Sequence, residues 1–159
     1  MNTQVTRTIF AYNRWANRRL LAAASLLPPE EFNRDLHASF GSVRGTLLHI
    51  LWGERRWLRF WQDGSFMPDA VPEDFPDPAA LEAGWASLEQ DQQLFEAGLT
   101  DELLAAPRRV WDNEYTLGEL VQHLLNHSTY HRGQVALLLR QLGQSPPASD
   151  YRLFLTEAR

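Results

Sequence analysis

Apolar residues recur at spacings of three and four along four long stretches of this chain, and each stretch is bounded by residues that start or stop helices. The first runs from Thr3 to about Leu27 and carries Ile9, Tyr12, Ala16, Leu20 and Ala23, and Pro28 and Pro29 end it. A loop follows through Gly41. Ser42 is a good N-cap for the second stretch, which holds Leu48, Leu51, Trp52, Leu58 and Trp61 and runs to about Gln62, before Asp63-Gly64. Residues 63–77 contain Pro68, Pro72 and Pro76 and read as a loop. Asp77-Pro78 opens the third helix, a cap followed by proline at the first helical position, and that helix ends near Gly98. Residues 99–115 hold a short turn of helix at most, with Arg108 to Tyr115 able to be extended. Thr116 and Glu119 form a capping box for the fourth helix, which reaches about Leu142 with Gly143 as its stop, before a tail with Pro146 and Pro147. Four long helices without a convincing sheet predict an all-α four-helix bundle. It is expected as one domain over residues 1–159, with a long crossover between the second and third helices.

Composition then narrows the chemistry. The chain has no cysteine, which excludes disulfides, thiolate ligands and a cysteine nucleophile. Its 15 basic residues are all arginine, so Schiff-base chemistry and a lysine base are excluded as well. A net charge of −5 argues against a general nucleic-acid binder. No apolar run is long enough to cross a membrane. The start, MNTQVTRTIF, lacks the basic and apolar parts of a signal peptide, so a cytoplasmic location is expected.

Three of the five histidines lie in one nine-residue run: His123, His127 and His131. Helical residues four apart share a face, about 6 Å apart along the axis, so neighbouring pairs can hold one ion. The outer two are about 12 Å apart and cannot share one. The pair is therefore His123/His127 or His127/His131. A third ligand has to come from another helix, and His49, on an apolar stretch of the second helix, is the leading candidate. His37 lies in a loop and reads as ordinary. If the second and fourth helices run parallel, His49 faces His123; if antiparallel, it faces His127 and His131. The loop over 63–77, about 14 residues, spans about 45 Å when extended, enough to cross the whole bundle and make these helices antiparallel. That favours His127/His131. Three imidazoles leave an open coordination position, as in catalytic sites. Neutral imidazole suits Zn, Ni, Cu or Fe(II).

Other features have two readings each. Gly45 and Gly53 flank His49 by one turn, either making room for a substrate or permitting close helix packing. Trp52, Trp57, Phe60 and Trp61 with Arg55, Arg56 and Arg59 form either a dimer face or core plus a wet arginine face. Asn13, Asn17, Glu54, Asn126 and Tyr130 either hold the free ring N–H groups of metal-bound histidines or merely cap, pack or face solvent. Arg132 is either a binder of an anionic substrate group or a solvated helix arginine.

Three segments together resemble the DinB/YfiT-like family: Tyr12 to Asn17 (YNRWAN), Gly41-Ser42 with Thr46 to His49 (TLLH), and Asn126 to Gln134 (NHSTYHRGQ). The match runs nearly end to end, and the last segment is the most specific. The resemblance implies a left-handed four-helix bundle, often a homodimer. It also implies a divalent metal ion held by His49, His127 and His131, with Zn or Ni foremost and Fe or Mn next. Some members of that family resemble thiol S-transferases that use a low-molecular-weight thiol such as bacillithiol, which here would be a cosubstrate because the chain has no cysteine. No catalytic residue is assigned. The competing expectations are a non-enzymatic, damage-inducible metal-binding protein acting as a dimeric interaction module, and a metal-free helical dimer.

Overall fold

The structure, a computed structural model, describes residues 1–157; the last two residues of the expected 1–159 domain lie outside the described residues. In chain order the helices are α1 (Thr3–Ala24), α2 (Pro29–Asn33), α3 (Val43–Asp63), α4 (Pro78–Ala97), α5 (Asp101–Ala105), α6 (Leu117–Gln141) and α7 (Tyr151–Glu157). A two-stranded antiparallel hairpin, β1 (Pro107–Val110) and β2 (Asn113–Thr116), precedes α6. Among the described residues the fold is thus mostly helical with one small sheet. No helix among the described residues is long and apolar enough to cross a membrane.

The long helices begin where capping chemistry places them. Ser42, Asp77 and Thr116 each accept a backbone N–H of the first turn, and Glu119 reaches back to complete the capping box. Gly64 and Gly143 take left-handed φ values of +79° and +77° just past α3 and α6. The first helix stops at Ala24 rather than Leu27, where Ser25 turns its hydroxyl and its N–H back onto the Leu21 carbonyl. The expected loop through Gly41 contains α2, and the tail contains α7. Both are too short for periodicity to reveal. Residues 99–115 contain α5 and the hairpin; buried Leu104 and Val110 pin them to the core.

Side-chain pairings set the directions of the long helices. Gly53 abuts His127 and Trp57 packs on His123, so numbering rises on α3 as it falls on α6, and the two are antiparallel. Arg44 donates to the Phe75 carbonyl and Leu51 meets Gly84, so α3 and α4 are parallel. The crossover between them returns along α3, held by Trp52 Nε1 donating to the Pro68 carbonyl and by the Arg56–Asp69 ion pair. Along α1, Arg14 and Arg18 pair with Glu96 and Glu89, making α1 antiparallel to α4. The core between these helices includes fully buried Leu20, Leu47, Ile50, Leu51, Leu88 and Leu139. Each such side chain contributes roughly 1.5–3 kcal/mol on burial, against the entropy of ordering the chain.

The aromatic and basic stretch of α3 resolves mainly as core. Leu58, Phe60 and Trp61 are buried, Trp52 and Trp57 half-buried, and Arg55 donates to the Gly84 carbonyl.

Candidate metal centre

One ring nitrogen from each of His49, His127 and His131 lies within 4.8 Å of the other two. His49 Nε2 and His127 Nε2 are 3.0 Å apart. Two nitrogens bound tetrahedrally at about 2.0–2.1 Å from zinc stand about 3.3 Å apart. The His49–His127 spacing is therefore close to that of two ligands on one small ion. His123 stands outside the group: its ring centroid is 6.2 Å from that of His127, and it packs edge-on against Trp57 at 5.2 Å.

The surroundings hold these rings in place. Gln134 Oε1 accepts from His131 Nδ1–H at 2.8 Å, which leaves the His131 Nε2 lone pair free. Phe40 stacks on His49 with centroids 3.8 Å apart and an interplanar angle of 17°, and meets His131 edge-on. Phe40 reaches this position because residue 45 is glycine: a Cβ there would lie 2.0 Å from the Phe40 carbonyl oxygen. Gly53 gives His127 its space, since a Cβ at that position would come within 3.3 Å of His127 Cε1. Gly45 therefore acts through close packing, while Gly53 both seats His127 and lines an open cleft beside it.

Electrostatics favours the ligand form of the rings. Burial, reinforced by the neighbouring His131, lowers the His49 pKa to about 4. Burial, then His131, His49 and His123, lowers that of His127 to about 4. Both are neutral at pH 7 and carry a free lone pair. His127 Nδ1 is buried without a partner among the described residues, while Nε2 faces His49. Either neutral tautomer thus leaves one His127 nitrogen unsatisfied or set against another histidine. A cation shared by the facing nitrogens would take the place of the His49–His127 hydrogen bond.

Directly behind the histidines lies a second polar cluster. Glu54, 1% exposed, accepts at Oε1 from Asn13 Nδ2, Asn17 Nδ2 and Ser128 Oγ at 2.7, 2.8 and 2.9 Å, and at Oε2 from Gln92 Nε2 at 3.1 Å. Arg132, 2% exposed, donates to Asn13 Oδ1, Asn17 Oδ1 and Thr129 Oγ1, with its guanidinium 5.3 Å over the Tyr12 ring. This overturns both readings of Arg132, which is neither solvated nor available to a substrate. Asn13, Asn17 and Glu54 bond to one another and not to a histidine ring. Asn126 and Tyr130 are exposed. The partner sequence reasoning passed over is Gln134, whose position three residues after His131 on one helix face was the available signal. Phe40 gave no such signal, because a loop residue's reach is invisible without the fold.

The sequence model of the DinB family matches residues 1–159. The chain is 27% identical over 161 residues to Protein DinB of Bacillus subtilis (strain 168), covering 92% of this chain and 91% of that one. Its fold is similar to the crystal structure of a DinB-like protein from Bacillus cereus ATCC 10987, with a TM-score of 0.67 at 17% identity, covering 84% of this chain and 89% of that one. With the family match spanning all 159 residues, the chain belongs to the DinB family.

Proposed function

We propose that His49, His127 and His131 bind one divalent metal ion, Zn or Ni foremost and Fe or Mn next, and that the protein transfers a low-molecular-weight thiol of the bacillithiol type to an electrophile. The observation that carries this reading is the convergence of three imidazole nitrogens from two helices, two of them 3.0 Å apart, with His49 and His127 lining an open cleft of ≈ 370 Å³. A divalent ion held there would acidify a coordinated thiol or water, supplying a nucleophile at neutral pH. The chain's own residues do the rest: Gln134 holds the proton on His131 Nδ1, Phe40 covers one face of His49, and Gly53 seats His127. With no cysteine in the chain, the sulfur comes from a cosubstrate. Its proton passes to solvent, a C–S bond forms, and the electrophile's leaving group departs with its bonding pair.

The reading extends to a single domain over 1–159, folded as a left-handed four-helix bundle and acting in the cytoplasm as a homodimer. Tyr130 and Leu137 support the dimer: on α6 they are 65% and 55% exposed, lie seven residues apart on one face, and flank Gly133, where an added Cβ meets open space. The same face favours the second reading, a non-enzymatic, damage-inducible metal-binding module.

Tag-free protein, assayed for metal by mass spectrometry and then for thiol transfer to monochlorobimane with a panel of thiols, separates these. Metal uptake with thiol-dependent product supports the enzyme. Uptake with no product from any thiol favours the binding module, and no uptake of any divalent ion rules out both.

A further inference from the structure

The cleft beside the histidines continues past them. A second hollow of ≈ 430 Å³ adjoins the ≈ 370 Å³ cleft, and Trp57 and Trp111 line both. The first hollow opens on His49 and His127; the second ends at Leu120, Glu119 and His123. Phe66 adds another ring, stacked on Trp111 with centroids 6.3 Å apart and edge-on to Trp57 at 5.4 Å. Together the hollows have the size of a small-molecule site, with aromatic walls and the polar side chains of Arg56, Asp69, Glu119 and the histidines among their lining.

Trp111 is the informative outlier. It occupies the two-residue turn between β1 and β2 with φ +52°, a left-handed conformation rare for a bulky side chain and normally filled by glycine, asparagine or aspartate. Asp112 and Asn113, which suit that conformation, stand next to it and do not occupy it. The indole is also 77% exposed, so packing in the folded chain does not account for its place. Backbone strain of this kind is maintained at ligand clamps.

We propose that Trp111 and Trp57 clamp the flat aromatic body of a small-molecule substrate, holding it beside His49, His127 and His131. Assigning that molecule as the electrophile rests on the transferase reading; the aromatic selectivity of the cleft does not. Continuity with the histidine cluster argues for a small molecule over a protein segment, because the hollows have small-molecule dimensions and open on the His49 and His127 rings.

The test compares 2-naphthylmethanol with its saturated decahydro analogue, by tryptophan fluorescence and calorimetry, on metal-loaded and metal-free protein. Neither alcohol needs a metal to bind, so a failed metal site leaves the comparison intact. The aromatic alcohol is expected to bind about fivefold tighter although it is the less hydrophobic of the two, as one or two ring–ring contacts supply. In Trp111→Gly the gap should close to within about twofold while the thermal midpoint is unchanged or raised, because glycine relieves the backbone. Trp111→Phe should retain most of the preference. Equal affinities in the native chain, or an undiminished preference in Trp111→Gly, overturn the proposal. So does a Trp111→Gly variant that turns a dimer into a monomer in sedimentation with its ligand preference intact, which would make this surface a contact between copies.

Discussion

Two polar clusters lie back to back between α3 and α6, and they differ in how fully they are paired: in the closed one only Gln92 Oε1 lacks a partner among the described residues, while in the open one the imidazoles mainly face one another. Behind the histidines, Glu54 accepts from four side chains on α1, α4 and α6, and Arg132 answers it through the same two asparagines. Toward the cleft, the imidazoles face one another, and His127 Nδ1 has no partner. A buried polar group left unpaired costs about 1–3 kcal/mol. The closed cluster, its charges answered by several side chains, works as structure joining α3 to α6, and the open one presents the neutral rings of His49 and His127 to the cleft. Adjacent residues divide between the two roles: His127 and Ser128, His131 and Arg132.

The sharpest way to break this comparison is to open the closed cluster. Glu54→Ala strands Arg132 and four donors in the core and should cost about 3–5 kcal/mol in urea unfolding, equally with and without metal. A loss below about 1 kcal/mol would show that the network does not hold the fold. His127→Ala should do the opposite. Metal-free stability should change by less than about 1 kcal/mol, while the roughly 2.7 kcal/mol expected from metal at a hundred times its dissociation constant disappears. Persistence of that metal-induced stabilisation would remove His127 from the site.

Much of this division was legible in the sequence, but unequally. The helix starts at Ser42, Asp77 and Thr116 follow from local capping chemistry. The choice of His127/His131 followed from four-residue spacing and the reach of the 63–77 loop, and the structure brings those two rings to His49. The closed cluster was not legible. Apart from Arg132–Thr129, its bonds join residues 37 to 119 positions apart, and neither Glu54 nor Arg132 shows on a helix which partners it will find. Arg108 to Tyr115 read as able to be extended, but their pairing into a hairpin was not foreseen and α7 was missed, because four-residue strands and a seven-residue helix take their stability from the surface they dock on, here through Val110 and Phe154.

Gln134→Ala should weaken metal binding about 10–100-fold without lowering metal-free stability by more than about 1 kcal/mol, measured by competition with a chelating dye. An unchanged affinity would mean that the orientation of His131 is set elsewhere. The smallest expected effect is on pH dependence. His49 and His127 have folded-state pKa values of about 4 against 6.5 for a free histidine, so between those values the unfolded chain binds more protons. Their contribution to stability is complete above about pH 6.5 and is lost as pH falls toward about 4. Both rings are partly exposed, so solvent screening keeps it modest. In metal-free protein, His49→Gln should flatten the stability profile between those pH values; an unchanged slope would mean that the ring is not held neutral by its burial.

The most direct measurement is anomalous diffraction from crystals of the Zn²⁺-loaded, tag-free protein. The account predicts one ion about 2.0–2.1 Å from a nitrogen of each of His49, His127 and His131, with His123 still packed on Trp57 and the Glu54 cluster unmoved. An ion between His123 and His127, or none at any of these rings, would contradict it.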